Sequence, residues 1–579
     1  MIYFNELCKD VRGKSYAFHF AKNDENKLKE KNRMKKKATK VAQELLSFKF
    51  VKETLAIYLF LMFVVYPLYY EDKYYNMGDA KWNFFRTVTY YISGTKVPIP
   101  TFLVLLILFF IWYQIDLFRK GKIKAFWDWK KTTLTDRFVL AYAAACLIST
   151  ILSPYKDYIL WGYDGWYMGL IAQIAFVLLY FFVSRFWRWD DIMLLIYMSA
   201  SALVFLFGVL NRFRIDPLEM YVGLDEMYVQ MFLSTLGQAT WYSSFVAIML
   251  PIGVFIYWYA EKGWVRKLAL IYNILGSMTL ITQDSDSAFF ALLAEVSVLF
   301  AFSFRENKYM KRFLEIMLIM LLSWRVIGFL QIAFPDAAVP LGKLMIVGTQ
   351  GALLWIPIAI LAAIYVVFSR FDKEGKVDIT NLTWVRTAYF VLLGLGIAGA
   401  VIYITLNSTG ALPESLRSTN NYLLFDEFWG NNRGHSWTIT VQSFFDCLKD
   451  DPIRAIFGAG PDGFYNTAYK YHAQELFEKW GEGTILTCAH NEWMTQVINI
   501  GIIGGVCYLG IFISAIVVFS KKSVAHPELI AVVMAIASYM AHNFFCYQQI
   551  ICTPMIFMVI GAGASIICTN GLRAIYEEN

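Results

Sequence analysis

The chain has 579 residues, 58% hydrophobic and only 17% charged, with a mean hydropathy of +0.47. Soluble domains are nearer half apolar and a quarter charged, whereas here apolar runs long enough to cross a bilayer recur along the sequence. A soluble enzyme, a disordered chain and a secreted disulfide scaffold are thereby excluded. Neither the net charge of +7 nor the eight cysteines, several of them inside apolar runs, alters that.

Much of the excess positive charge lies before residue 53, in stretches such as KLKEKNRMKKKATK (27–40). Residues 1–52 read as a basic cytoplasmic tail that obeys the positive-inside rule and can bind anionic lipid headgroups. No basic domain with interleaved aromatics follows, so nucleic acid is not an expected partner. No cleavable signal peptide is expected, since the first long apolar run starts near Leu55.

About fourteen spans follow. They cover 54–70, 100–118, 136–153, 167–185, 191–210, 241–259, 266–282, 288–304, 313–334, 351–368, 385–405, 493–519, 527–547 and 553–569. Alternate connections, such as RKGKIKAFWDWKK (119–131), AEKGWVRK (260–267) and RENKYMKR (305–312), are short and basic. The others, such as EDKYYNMGD (71–79) and QDSDS (283–287), are less so. This alternation places both termini in the cytoplasm. The expected fold is an all-α polytopic bundle of about 12–14 spans with one large extracytoplasmic, partly helical loop. The bundle occupies 53–405, the loop 406–492, and the last helices with a short cytoplasmic tail 493–579. A loop of about 87 residues between otherwise short connections points to function.

Four of the six histidines, His435, His472, His490 and His542, fall in that loop or near the outer ends of spans. None shows the i, i+3/i+4 spacing of a metal site, so no metal and no cofactor are expected. His490, in AHNEWMTQ, stands where the loop re-enters the membrane. An imidazole there can act as a general base on a hydroxyl, with Glu492 close enough in sequence to orient it; helix capping by Asn491 and His490 is the structural alternative. Arg433 and Arg454 are loop guanidiniums able to grip phosphate oxygens, or simply solvated charges. Arg325, inside MLIMLLSWRVIGFLQIAF, is an intramembrane charge and so a functional candidate. It either reaches a phosphate or pairs with Asp284 or Asp286. DSDS (284–287) equally serves as a helix N-cap. GAGPDGF (458–464) lacks the ending of a phosphate loop and reads as a tight turn. Tyr155, Trp161, Tyr163, Trp166 and Tyr167 crowd one outer loop, as an interfacial belt or as sugar-stacking rings.

Six segments, in order, resemble those of the O-antigen ligase and O-antigen polymerase superfamily of GT-C-type membrane glycosyltransferases. They are GYDGWYMGL (162–170), STLGQATW (234–241), TQDSDSA (282–288), RGHSW (433–437), PIRAIFGAGPDGF (452–464) and AHNEWMTQVINIGIIG (489–504). The last three, all in or at the end of the large loop, are the more specific. The resemblance implies metal-independent, inverting glycosyl transfer on the outer face of the cytoplasmic membrane. The implied donor is a polyprenyl-pyrophosphate-linked glycan and the acceptor a glycan, lipid or protein. It implies that His490 assists the acceptor hydroxyl and that Arg433 holds the donor pyrophosphate. Two positions depart from the family pattern. Trp166 and Asp286 stand where many members carry arginine, and Arg325 is the candidate to compensate. Ligase and polymerase are not separated by these motifs. A lipid-linked oligosaccharide flippase and a catalytically degenerate assembly protein are the rival functions.

Overall fold

The computed structural model describes residues 45–94 and 97–577, the last nine of these by backbone alone. Leaving single turns aside, the helices are α1 (Leu46–Phe60), α2 (Met77–Thr89), α3 (Phe102–Arg119), α4 (Leu134–Leu152), α5 (Leu170–Phe186), α6 (Asp191–Arg212), α7 (Ala239–Tyr259) and α8 (Gly263–Thr282). There follow α9 (Ser287–Ser303), α10 (Asn307–Ala333), α11 (Lys343–Gln350), α12 (Trp355–Lys373), α13 (Thr383–Ser408), α14 (Trp429–Asp450), α15 (Pro452–Phe457) and α16 (Phe464–Trp480). The chain ends in α17 (Glu492–Lys522), α18 (Leu529–His542) and α19 (Thr553–Glu577). Two two-residue antiparallel strand pairs complete the secondary structure of the described residues. Among the described residues, eight helices are long and apolar enough to cross a membrane, and four shorter ones are also largely apolar. The protein is therefore an all-α polytopic membrane protein.

Helices occupy every position at which a span is expected, with instructive differences at their ends. Of the basic tail expected over 1–52, residues 1–44 lie outside the described residues. The remainder already belongs to α1, which begins at Leu46 because Phe48, Val51 and Leu55 form a buried stripe while Lys49 and Glu53 pair across one exposed turn. A span expected over 527–547 stops at His542, and residues 543–552 are turns.

Helix α18 is the axis of the bundle. Leu529–Ile536 are buried without exception, and the helix packs on α7, α9, α17 and α19. Its alanines at 531, 535, 537 and 541 let neighbouring backbones approach closely. By contrast, none of the most apolar window of α13 is buried, and only 11% of that of α12. Bare apolar helices of this length suit contact with lipid.

The large connection holds three helices, α14, α15 and α16, over its own small core of Ile439, Phe464, Ala468, Leu476, Leu486 and Ala489. It forms a cap on one end of the bundle. Two glycines join cap to bundle. Helix α17 breaks at Ile500–Gly501, where Gly501 has φ +73°. The carbonyls freed there are taken up by the cap, as Ala459 N donates to Ile498 O (3.2 Å) and Gly460 N to Asn499 O (2.8 Å). A Cβ on Gly458 would stand 2.3 Å from Asn499 O, and one on Gly501 2.1 Å from Ile456 O, so only glycine fits at either position. GAGPDGF is thus a docking strap rather than an isolated turn.

Asp462, the next residue but one in that strap, is buried and ties it to the 162–170 loop. One carboxylate oxygen accepts from Tyr163 N (2.6 Å) and Met168 N (3.4 Å). Burial pushes its carboxyl up to about 6, against the pull of those two amides. The folded chain therefore holds a proton that the unfolded chain releases near its ordinary value of about 4. The stabilisation is complete below that value and fades as pH rises through 6. Asp462→Asn is expected to flatten this part of the stability–pH curve, measured as thermal unfolding in detergent between pH 4 and 7.

Candidate active site

The motif segments lie toward the capped end, and side chains of five of them can be followed in turn. From the fourth, Arg433 projects just after three consecutive residues in the left-handed region, Gly430, Asn431 and Asn432 (φ +56°, +63° and +63°). This turn is tight, since a Cβ on Gly434 would stand 1.9 Å from Asp426 O. Arg433 Nη1 donates to Gly430 O (2.7 Å) and Nε to Phe545 O (3.2 Å). Its second terminal nitrogen makes no hydrogen bond among the described residues, and the side chain is only half-buried.

His490 supplies the sixth segment. It too lies in the left-handed region (φ +52°), unusual for a residue with a Cβ and a conformation that persists only where surrounding structure enforces it. Its Nδ1 is 3.8 Å from Cys488 Sγ, and its ring meets Tyr547 edge-on at 5.2 Å. Burial, and secondarily the Arg433 charge, push its pKa down to about 4, against a hydrogen bond to the Cys488 backbone that favours the cation. At neutral pH it is therefore an uncharged imidazole beside a guanidinium.

The walls come from the first two segments. Trp166 meets Tyr547 edge-on at 4.7 Å, and Trp241 Nε1 donates to Tyr547 Oη (3.0 Å). Cys488, Cys546 and Tyr547 form a buried cluster with both tryptophans against it. From the third segment, Asp286 accepts a hydrogen bond from Tyr422 in the cap. The neighbouring Asp284 receives the Gly342 amide on both oxygens (2.9 and 3.0 Å). The fifth segment is the docking strap.

The expected supporting residues divide. Glu492 is fully buried, accepting from Tyr508, Asn543 and Tyr539 (3.1 Å), while its own amide donates to Asn543 O (3.0 Å). A carboxylate so completely satisfied orients the turn after α18 and is not free to orient His490 directly. Arg454 bridges Asp451 (3.0 Å) and Tyr155 (3.2 Å) and lies on the Tyr155 ring. Nothing brings it to His490.

Arg325 departs furthest from expectation. Its Nη1 donates to the carbonyls of Thr349 (2.9 Å), Gln350 (2.8 Å) and Gly351 (3.4 Å). The guanidinium also lies over the Phe329 and Trp355 rings. It closes the C-terminus of α11, where a cation meets the negative end of the helix dipole. It makes no ion pair with Asp284 or Asp286. Arg325→Ala is therefore expected to cost about 2–3 kcal/mol of stability, read as a lower Tm, without changing the activity of the folded fraction.

Phe545 O, Tyr547, Trp241 and Tyr422 complete the site but were not singled out from the sequence. The first two belong to the turns hidden inside the apolar run 527–547. Among the described residues, no group of three or more His, Cys, Asp or Glu converges as a metal site. No protein-family model matches the chain, and no curated protein is significantly similar to it.

Proposed function

We propose that the protein is a membrane glycosyltransferase that moves or polymerises a glycan carried on a polyprenyl pyrophosphate. The observation that carries this proposal is the pairing of an uncharged His490 with a half-exposed Arg433 in one aromatic-walled site. That is a base and an anion ligand close enough for the charge of one to lower the pKa of the other. The basic alternate connections support placing the site on the extracytoplasmic face of the cytoplasmic membrane with both termini inside.

Arg433 binds the donor pyrophosphate through its unengaged nitrogen, neutralising charge that grows as the leaving group departs. The acceptor hydroxyl attacks the anomeric carbon from the opposite face and inverts it. Its proton passes to His490, the bond from carbon to pyrophosphate oxygen breaks, and polyprenyl pyrophosphate leaves. Asp286 stands where the resembled family carries an arginine. Its hydrogen bond to Tyr422 gives it a role in fixing the cap segment that leads into Arg433. Arg325 has no part in this scheme.

The test is purified protein in proteoliposomes given a lipid-pyrophosphate oligosaccharide, without ATP or added metal. His490-dependent release of polyprenyl pyrophosphate supports the assignment, and a lengthening glycan ladder marks a polymerase. Movement of labelled lipid across the bilayer without release would make the protein a flippase and overturn the assignment.

A further inference from the structure

The cap carries a row of aromatic rings that the transfer site does not use. Tyr158, Tyr163, Tyr465, Tyr469 and Phe477 follow one another at centroid separations of 4.9, 5.2, 4.5 and 5.3 Å. The first two belong to the loop that Asp462 anchors and the other three to α16. Tyr158 and Phe477, at the two ends, are 41% and 38% exposed, and the three rings between are half-buried. Core packing explains only part of this. Helix α16 turns Phe464, Ala468 and Leu476 into the cap core, with Tyr469 at its margin. The hydroxyls of Tyr158, Tyr163 and Tyr465 make no hydrogen bond among the described residues and are not sealed from solvent.

We infer that this row is a docking track for a neutral glycan chain. A pyranose ring offers an apolar, electropositive face of C–H groups and a polar rim of hydroxyls. The first suits the negative face of an aromatic ring, and the second suits a phenolic hydroxyl left without a partner. No residue of the row is charged, which fits a neutral sugar better than a phosphate or an acidic chain. The rows of an interfacial belt lie at the ends of spans, whereas three of these rings sit on a cap helix that is not a span. The track also shares a loop with the transfer site. The 162–170 loop that presents Tyr163 carries Trp166, which packs on Tyr547 beside His490. The inference rests on the proposed glycosyl transfer, for which it supplies the path along which acceptor or product chain lies.

The experiment uses the full chain in zwitterionic-lipid nanodiscs with no donor present. Maltohexaose and chitohexaose are each added alone and observed by saturation-transfer difference NMR. The expected result is transfer to sugar-ring C–H protons for at least one of the two. Tyr163→Ala with Tyr465→Ala should reduce it by about five-fold, while the corresponding Phe pair retains most of it. Tyr158→Ala, at the exposed end, is a second ring deletion that leaves the cap core untouched, and it should also lower the signal. No transfer with either sugar, or ring-deleted variants that bind as the wild type does, overturns the track. So does saturation that passes from these rings to lipid headgroups instead. Because no donor is present, a failed release assay with sugar binding intact would remove the transferase assignment alone. Release without sugar binding would remove the track alone.

Discussion

Replacing His490 by alanine is expected to abolish glycosyl transfer while leaving expression and membrane insertion unchanged. Loss of a positioned general base costs about 10²–10⁴-fold in rate, so residual polyprenyl pyrophosphate release should fall to near background. Full activity in this variant would remove His490 from the reaction. The pH profile offers a second check. The base must be uncharged to accept a proton, and burial together with Arg433 pushes its pKa down to about 4. The wild-type rate should therefore hold through the range where an ordinary histidine gains its proton, near 6.5, and fall only as pH approaches 4. Stability moves in the same direction. Between 6.5 and 4 the unfolded chain binds a proton at this position and the folded chain does not, so acidification through that window favours unfolding. Asp462 acts oppositely over part of the same range, which is why the two variants are best measured side by side.

The second large effect is expected at Arg433. Two of its nitrogens are spent on Gly430 O and Phe545 O, which fix the direction of the third. Arg433→Ala should raise the KM for the lipid donor by about 10–100-fold, the loss of one or two charge-assisted hydrogen bonds. Arg433→Lys should recover little, because a compact ammonium lacks the planar fork that reaches Gly430 O and Phe545 O while directing a further N–H at phosphate. The alanine variant should also move the acid limb of the His490 profile upward, since the guanidinium is one of the two forces lowering it. An unchanged donor KM in Arg433→Ala would show that phosphate is held elsewhere.

Much of this architecture was legible in the sequence because membrane helices are specified by long apolar runs, a signal that tertiary packing does not erase. The helices stand where the runs predicted them, and the loop expected over 406–492 is bounded by Ser408 and Glu492. The site was legible only in part. His490 stood out as a polar residue at the loop's end, and Arg433 as a guanidinium within it. Tyr547 and the Phe545 carbonyl did not. They lie in a stretch as apolar as a span, and hydropathy carries no trace of backbone that turns instead of continuing a helix. Arg325 misled for the complementary reason. A lone intramembrane charge suggests a ligand, but the sequence does not display the unsatisfied helix carbonyls that claim it.

The contact between Gly458 and the break at Gly501 bears on how a bulky lipid-borne molecule gets in. There the two backbones touch with no room for a single methyl group. Cap and bundle are thus joined backbone to backbone at that corner, by this contact and by two hydrogen bonds from the cap amides. On the proposed transfer, a lipid-borne donor would reach the site from the bilayer while the cap stays joined to the helices at that corner.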